Sequence, residues 1–205
     1  MHKQYVLASG NAGKLREINA VLGPLGCAVR PQGEWQVPEV EETGATFLEN
    51  ALAKARQAAR FTRLPALADD SGLIVPALRG EPGIYSARYA GRAASDADNV
   101  RRLLERMEGL TEAERRAYFY CCIVLLDSPE DPAPLMATAR WYGEILHAPR
   151  GTNGFGYDPV FAVAGGTEQY SAAELSLEAK QRISHRGQAL QSLVRQLREQ
   201  DRICR

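Results

Sequence analysis

Asp69 and Asp70 stand side by side in ALADDSGLIV, residues 66–75, between two short apolar runs and directly before Ser71 and Gly72. Two adjacent carboxylates repel each other unless positive charge is placed beside them. Glu41 and Glu42 precede them in the chain. A few carboxylates completed by a substrate phosphate are how Mg²⁺ is commonly held, because it is a hard cation that prefers oxygen. The ordinary alternative is a turn in which one aspartate caps and the other is solvated. Soft-metal chemistry has no support: Cys27, Cys121, Cys122 and Cys204 form no C-x-x-C pair. Cys121 and Cys122 are adjacent in a strand-like run and would point to opposite faces, so buried free thiols are expected.

A second candidate is SGNAGK, comprising Ser9, Gly10, Asn11, Ala12, Gly13 and Lys14. A small, flexible loop that opens a helix presents backbone N–H groups and the positive end of the helix dipole, which suits phosphate. It is not a P-loop, since Ala8 stands where that pattern needs Gly and Leu15 where it needs Ser or Thr. The plain reading is a helix entry capped by Ser and Asn. A second cation is available at Lys54, which shares a helix face with Asn50, although a solvated charged face is the usual explanation for such residues. Further along, GFGYDP supplies the aromatic faces of Phe155 and Tyr157 between glycines, followed by Asp158, while Lys180 and the SHRGQ residues His185 and Arg186 supply donors. Flat apolar faces with fixed donors suit a nucleobase. Each has a bland counterpart: core aromatics, a capping Ser184, a surface arginine.

The elements that must position these groups follow from periodicity. YVLA reads as a strand, and Leu15, Ile18 and Leu22 mark the buried face of a helix beginning near Lys14. Thr46 and Glu49 form a capping box for a second helix, with Phe47, Ala51, Ala55 and Ala58 along one side. ADDSG is expected to be a turn between two strands. A Gly- and Pro-rich loop, RGEPGIYSARYAG, then leads to a third helix carrying Val100, Leu103, Leu104 and Met107. AYFYCCIVLLD and LMATARWYGEIL read as long strands paired as a hairpin, and PVFAV as a short one. SHRGQ opens a last helix with Leu190, Leu193, Val194 and Leu197 on its apolar face. Crossover-type and hairpin-type strands together imply an α/β fold with a mixed sheet.

Bulk properties narrow the function. The 205 residues are 45% hydrophobic and 24% charged, as in ordinary globular proteins, and suffice for one domain spanning residues 1–205. The formal net charge of +0 gives no whole-molecule attraction to nucleic acid or anionic membrane. The N-terminal apolar run is too short for a signal-peptide core, and no segment approaches the roughly 20 apolar residues of a membrane span. A cytoplasmic protein is expected.

SGNAGKLREI, EETGATFLENALAKA, ADDSGL, PGIYSARYAG, GFGYDPVF and SHRGQAL occur in this order from about Val6 to about Leu197. Together they closely resemble the non-canonical purine nucleoside triphosphate pyrophosphatases, the inosine triphosphatase family. The resemblance implies an elongated central mixed β-sheet flanked by helices, in two lobes with an active-site cleft between them, and a homodimer. It implies hydrolysis of ITP, dITP and XTP to the monophosphate and pyrophosphate with Mg²⁺. Carried over, Ser9 to Lys14 would form the substrate loop, with Asn11, Lys14 and Lys54 on the triphosphate and Ser71 touching substrate. Glu41 and Asp70 would hold the metal, and Asp70 would accept a proton from the attacking water. Phe155, Gly156, Tyr157 and Asp158 would build the base pocket with Lys180, His185 and Arg186. The choice of Asp70 over Asp69 rests on the family pattern, because the two are chemically equivalent in sequence. A related family, the septum-inhibition nucleotide pyrophosphatases, fits less well because of GFGYDP and SHRGQ. A silent nucleotide-binding protein would not need Glu41 and Asp70 together.

Overall fold

Alternate residues of the strand Leu135–Ile145 are buried and exposed, as expected of a strand with one face on the core. In the computed structural model, which describes residues 3–164 and 170–203, this strand is the fifth of six in one sheet. The strands are β1 (Lys3–Leu7), β2 (Cys27–Pro31), β3 (Ala66–Ile74), β4 (Arg116–Leu126), β5 (Leu135–Ile145) and β6 (Phe161–Val163), in spatial order β2-β1-β3-β4-β5-β6. β1 pairs in parallel with β2 and β3, whereas β5 and β6 are antiparallel, so the sheet is mixed. The helices are α1 (Ala12–Leu22), α2 (Phe47–Thr62), α3 (Asp96–Arg106), α4 (Leu177–Ile183) and α5 (His185–Glu199).

The chain forms two compact units. The first comprises residues 1–70, 121–139 and 186–205; the second comprises residues 71–120 and 140–185. In the first, Tyr5, Leu7, Ile18, Leu22, Leu67, Ile123 and the Leu190–Leu193–Leu197 face of α5 share one core. In the second, Val100, Leu103 and Met107 of α3 pack with Phe119, Trp141, Phe161 and Tyr157. The helix faces expected from spacing are buried at Ile18 and Leu22, at Phe47, Ala51, Ala55 and Ala58, and at Val100, Leu103 and Met107. The Thr46–Glu49 capping box closes reciprocally, with Glu49 N–H donating to Thr46 Oγ1 at 3.2 Å and Thr46 N–H donating to Glu49 Oε2 at 2.9 Å. Cys27, Cys121 and Cys122 are buried free thiols, and Cys204 lies outside the described residues, as does most of the loop preceding Tyr170.

One local expectation is corrected. ADDSG is not a turn: β3 runs unbroken from Ala66 to Ile74, with both aspartates inside it. The turn assignment rested on composition, Asp-Asp-Ser-Gly between two apolar runs; a strand interior holds both carboxylates because each is buried against a cation. β2 and α4 have no counterpart in the sequence-based assignment. Both are short, and CAVRP carries a proline at its end that weakens a strand pattern.

Candidate active site

In the first unit, adjacent positions on β3 send the two aspartates to opposite faces. Asp69 is fully buried. Its Oδ1 lies 2.7 Å from Lys14 Nζ, and its Oδ2 accepts from Arg186 Nε at 2.6 Å and from the Cys121 thiol at 3.3 Å. Burial alone would push Asp69 up, but Arg186 and Lys14 outweigh it and hold the carboxyl well below the usual carboxylate range. Burial pushes the Cys121 thiol well up, and Asp69 adds to this, so the thiol stays protonated and donates.

Asp70 is differently placed. Its Oδ1 is 2.5 Å from Lys54 Nζ, which also lies 3.0 Å from Glu42 Oε1. Its Oδ2 is buried and, among the described residues, has no hydrogen-bond partner. Burial raises the Asp70 carboxyl above its ordinary value, Lys54 pulls it back only in part, and Glu42 pushes it further up. Burial would lower Lys54, yet Asp70 and Glu42 outweigh that and raise it. The rise at Lys54 follows from two carboxylates around one ammonium, whereas that at Asp70 follows first from burial.

The two lysines meet at a single acceptor. The Asp69 main-chain carbonyl takes Lys14 Nζ at 3.1 Å and Lys54 Nζ at 3.3 Å. Lys14 is delivered by α1, whose N-cap Asn11 accepts from Lys14 N–H at 3.0 Å and is itself steadied by Ser9 Oγ at 3.1 Å. Ser9, Gly10, Asn11 and Ala12 line this helix entry, with Gly13 just inside it. Lys54 comes from α2. Two ammonium groups converging on one carbonyl beside a helix N-terminus gather the donors that phosphate oxygens would need.

Glu41 and Glu42 lie in an irregular segment that Asn50 fastens to α2, its Oδ1 accepting from Gly44 N–H at 2.9 Å. The approach is tight: a Cβ on Gly44 would meet Asn50 Oδ1 at 2.7 Å. Glu41 is exposed, and Glu42 is the carboxylate joined to Lys54. Among the described residues no three acidic, histidine or cysteine side chains converge as a ready metal cage. The donor set nevertheless fits Mg²⁺: oxygen ligands only, surplus negative charge, and a buried Asp70 Oδ2 lacking a hydrogen bond. Mg²⁺ characteristically takes one or two carboxylates and leaves its other positions to water and phosphate.

The second unit holds the aromatic residues. Lys180 Nζ is 2.5 Å from Asp158 Oδ2, both side chains being buried, and sits 4.7 Å from the centre of the Phe155 ring. Asp158 Oδ2 also accepts from Phe155 N–H at 2.9 Å. Gly154, at φ +79°, lets the loop wrap this carboxylate, since a Cβ there would meet Asp158 Oδ2 at 2.0 Å. Gly156 N–H donates to Asp96 Oδ2 at 2.7 Å, tying the loop to the start of α3. His185 is buried and stacks on Phe119 with ring centres 4.7 Å apart. Ser71 opens this unit, half-buried on β3.

A sequence model of the Ham1 family matches residues 5–196. The chain belongs to the Ham1 family. It is 53% identical over 196 residues to a dITP/XTP pyrophosphatase of Idiomarina loihiensis, covering 94% of this chain and 96% of that protein. It is 54% identical over 198 residues to a dITP/XTP pyrophosphatase of Methylococcus capsulatus, covering 97% and 98%. Among solved structures, a HAM1 protein from Coxiella burnetii matches with a TM-score of 0.87 at 50% identity, covering 96% of this chain and 99% of that one. The Staphylococcus aureus Ham1 protein matches with a TM-score of 0.83 at 40% identity, covering 97% and 100%.

Of the site residues implied by the motif resemblance, Lys14, Lys54 and Asp70 fall in one unit, and Phe155, Gly156, Asp158, Lys180 and His185 in the other. Arg186 belongs to the first unit, where it is buried between Asp69 and Glu17, Nη1 to Glu17 Oε2 being 2.5 Å. Its fork is thus engaged by carboxylates. Tyr157 is a core residue, its ring buried and its hydroxyl donating to the Ser86 carbonyl at 2.9 Å. It anchors the loop from below. Sequence reasoning overlooked Glu17 and Asp96. Glu17 follows Lys14 by three positions, a spacing that puts both on one helix face.

Proposed function

We propose that this chain is a Mg²⁺-dependent nucleoside triphosphate pyrophosphatase that hydrolyses ITP, dITP and XTP to the monophosphate and pyrophosphate, clearing them from the nucleotide pool before they enter DNA or RNA. The observation that carries this is the unequal state of the two aspartates. Asp69 is saturated by cations, whereas Asp70 keeps a buried oxygen without a hydrogen bond beside two lysines that share one carbonyl. Relatives at about half identity carry the name dITP/XTP pyrophosphatase, which supports the substrate class.

Lys14, Lys54 and the N–H groups of residues 9–14 bind the triphosphate and offset its charge. Asp70 with Glu41 would hold Mg²⁺, which supplies charge neutralisation at the phosphoryl oxygens when bound. Asp70 takes the proton from water as it attacks the α-phosphorus. Asp69 is engaged on both oxygens by Lys14 and Arg186, which leaves Asp70 as the carboxylate for this step. Phe155 stacks on the purine, and Lys180 reads its edge. His185 backs this surface through its stack on Phe119. Among the described residues no helix is long and apolar enough to cross a membrane, and the same reading carries a homodimeric enzyme of the cytoplasm.

Purified protein given ITP and Mg²⁺ should release pyrophosphate, and excess chelator should abolish that release. Full activity in chelator would remove Glu41 and Asp70 as a metal site.

A further inference from the structure

Glu17 is buried on α1, one turn beyond Lys14, where an unpaired carboxylate would be costly. It belongs to a row of alternating charge within the first unit: Glu17 Oε2 to Arg186 Nη1 at 2.5 Å, Arg186 Nε to Asp69 Oδ2 at 2.6 Å, and Asp69 Oδ1 to Lys14 Nζ at 2.7 Å. Two carboxylates and two cations balance. Lys14 is the outermost member, its side chain 15% exposed, while those of Glu17, Arg186 and Asp69 are 7%, 2% and 0% exposed. The row therefore runs from a buried glutamate to the lysine at the substrate loop.

The geometry at Arg186 shows what Glu17 does. A guanidinium facing a carboxylate favours two parallel hydrogen bonds. Here the pairing with Asp69 is lopsided, with Nε–Oδ2 at 2.6 Å but Nη2–Oδ1 at 3.5 Å. Glu17 holds Nη1, and Asp69 Oδ1 is turned to Lys14 instead. We propose that Glu17 is a positioning residue for polyphosphate binding: by balancing Arg186 it leaves Asp69 Oδ1 to hold Lys14 in place. Without that charge, Arg186 draws Asp69 into the symmetrical fork, Oδ1 turns away, and Lys14 loses its anchor. The proposal rests on Lys14 being a triphosphate ligand.

The test is a cycle of Glu17→Gln and Lys14→Met, alone and together, with KM and kcat for ITP measured for each. Glu17→Gln should raise KM roughly tenfold, the loss of about one charge-assisted hydrogen bond, with kcat nearly unchanged. In the Lys14→Met background the same change should have almost no effect on KM. A merely structural Glu17 would give equal losses in both backgrounds, and that result overturns the proposal. Lys14→Met alone separates the two ways of failing. An unchanged KM there removes the phosphate role of Lys14 and the proposal with it; a raised KM with additive losses removes the proposal only. Glu17→Asp keeps the charge with a shorter reach and is run in both backgrounds, so the cycle is read even if the amide variant does not fold. Unaltered KM in Glu17→Asp with Lys14 present, alongside an unfolded Glu17→Gln, counts against positioning.

Discussion

Asp70→Asn is expected to lower kcat by at least about a hundredfold, the low end for loss of a general base, while nucleotide binding survives. The amide is isosteric but neutral, so it accepts no proton and binds a divalent cation poorly. On the proposed reading Lys14 and Lys54, which converge on the Asp69 carbonyl, remain to hold the phosphates. Asp69→Asn should behave otherwise. It breaks a buried network with Arg186 and Lys14, a change that costs roughly 3–5 kcal/mol of stability because the cations are left uncompensated. Because the folded-state pKa of Asp69 is depressed, its stabilisation is present above the unfolded value of about 3.9 and lost as pH falls through the lower folded value. The gap in thermal stability between wild type and Asp69→Asn should therefore be wide at neutral pH and close on strong acidification. Turnover, nucleotide affinity and Tm for both variants check this. A greater turnover defect in a stably folded Asp69→Asn would reverse the assignment of the two residues.

The second large effect is base selection. Hypoxanthine and xanthine carry a carbonyl at the six position, where adenine carries an amino group. Lys180, held by Asp158 and lying over Phe155, is a donor that cannot accept. Donors satisfy the carbonyl and are left facing donors by adenine, and sites of this kind reject the wrong partner by up to roughly 10⁴-fold. GTP shares the carbonyl and differs by an amino group at the two position, so its rejection should be weaker. The expected order of kcat/KM is ITP, dITP and XTP high, GTP lower, ATP lowest. Ribose and deoxyribose forms should be similar. Lys180→Met should narrow the ITP-to-ATP ratio. Arg186→Ala, which removes a guanidinium already engaged by Asp69 and Glu17, should instead impair stability and phosphate affinity without changing that ratio. ATP hydrolysed as well as ITP would refute the donor account.

The helix faces were legible because their periodicity was strong: Ile18 with Leu22, the alanines of α2, and Val100 with Leu103 are buried as spacing implies. The mixed sheet followed from strand runs separated by both helices and a short turn. ADDSG misled because its composition says turn, and only long-range partners make it a strand. Arg186 and Lys14 lie far from Asp69 in sequence, and no local rule brings them together. The same limit applies to Arg186 and Tyr157. The resemblance assigned both to the base pocket, and only the fold shows Arg186 against Asp69 and Glu17 and the Tyr157 hydroxyl on the Ser86 carbonyl. Glu17 is the converse, a buried charge that looks like an ordinary solvated helix residue until its partner is known.

The measurement that bears most directly on the central claim is hydrolysis of ITP in isotopically labelled water, with the label traced among the products. Attack on the α-phosphorus forms the new P–O bond in the monophosphate and expels pyrophosphate from the α,β-bridge. All label should then be in the monophosphate, with none in pyrophosphate. Label in orthophosphate released from the γ-position would contradict the pyrophosphatase account.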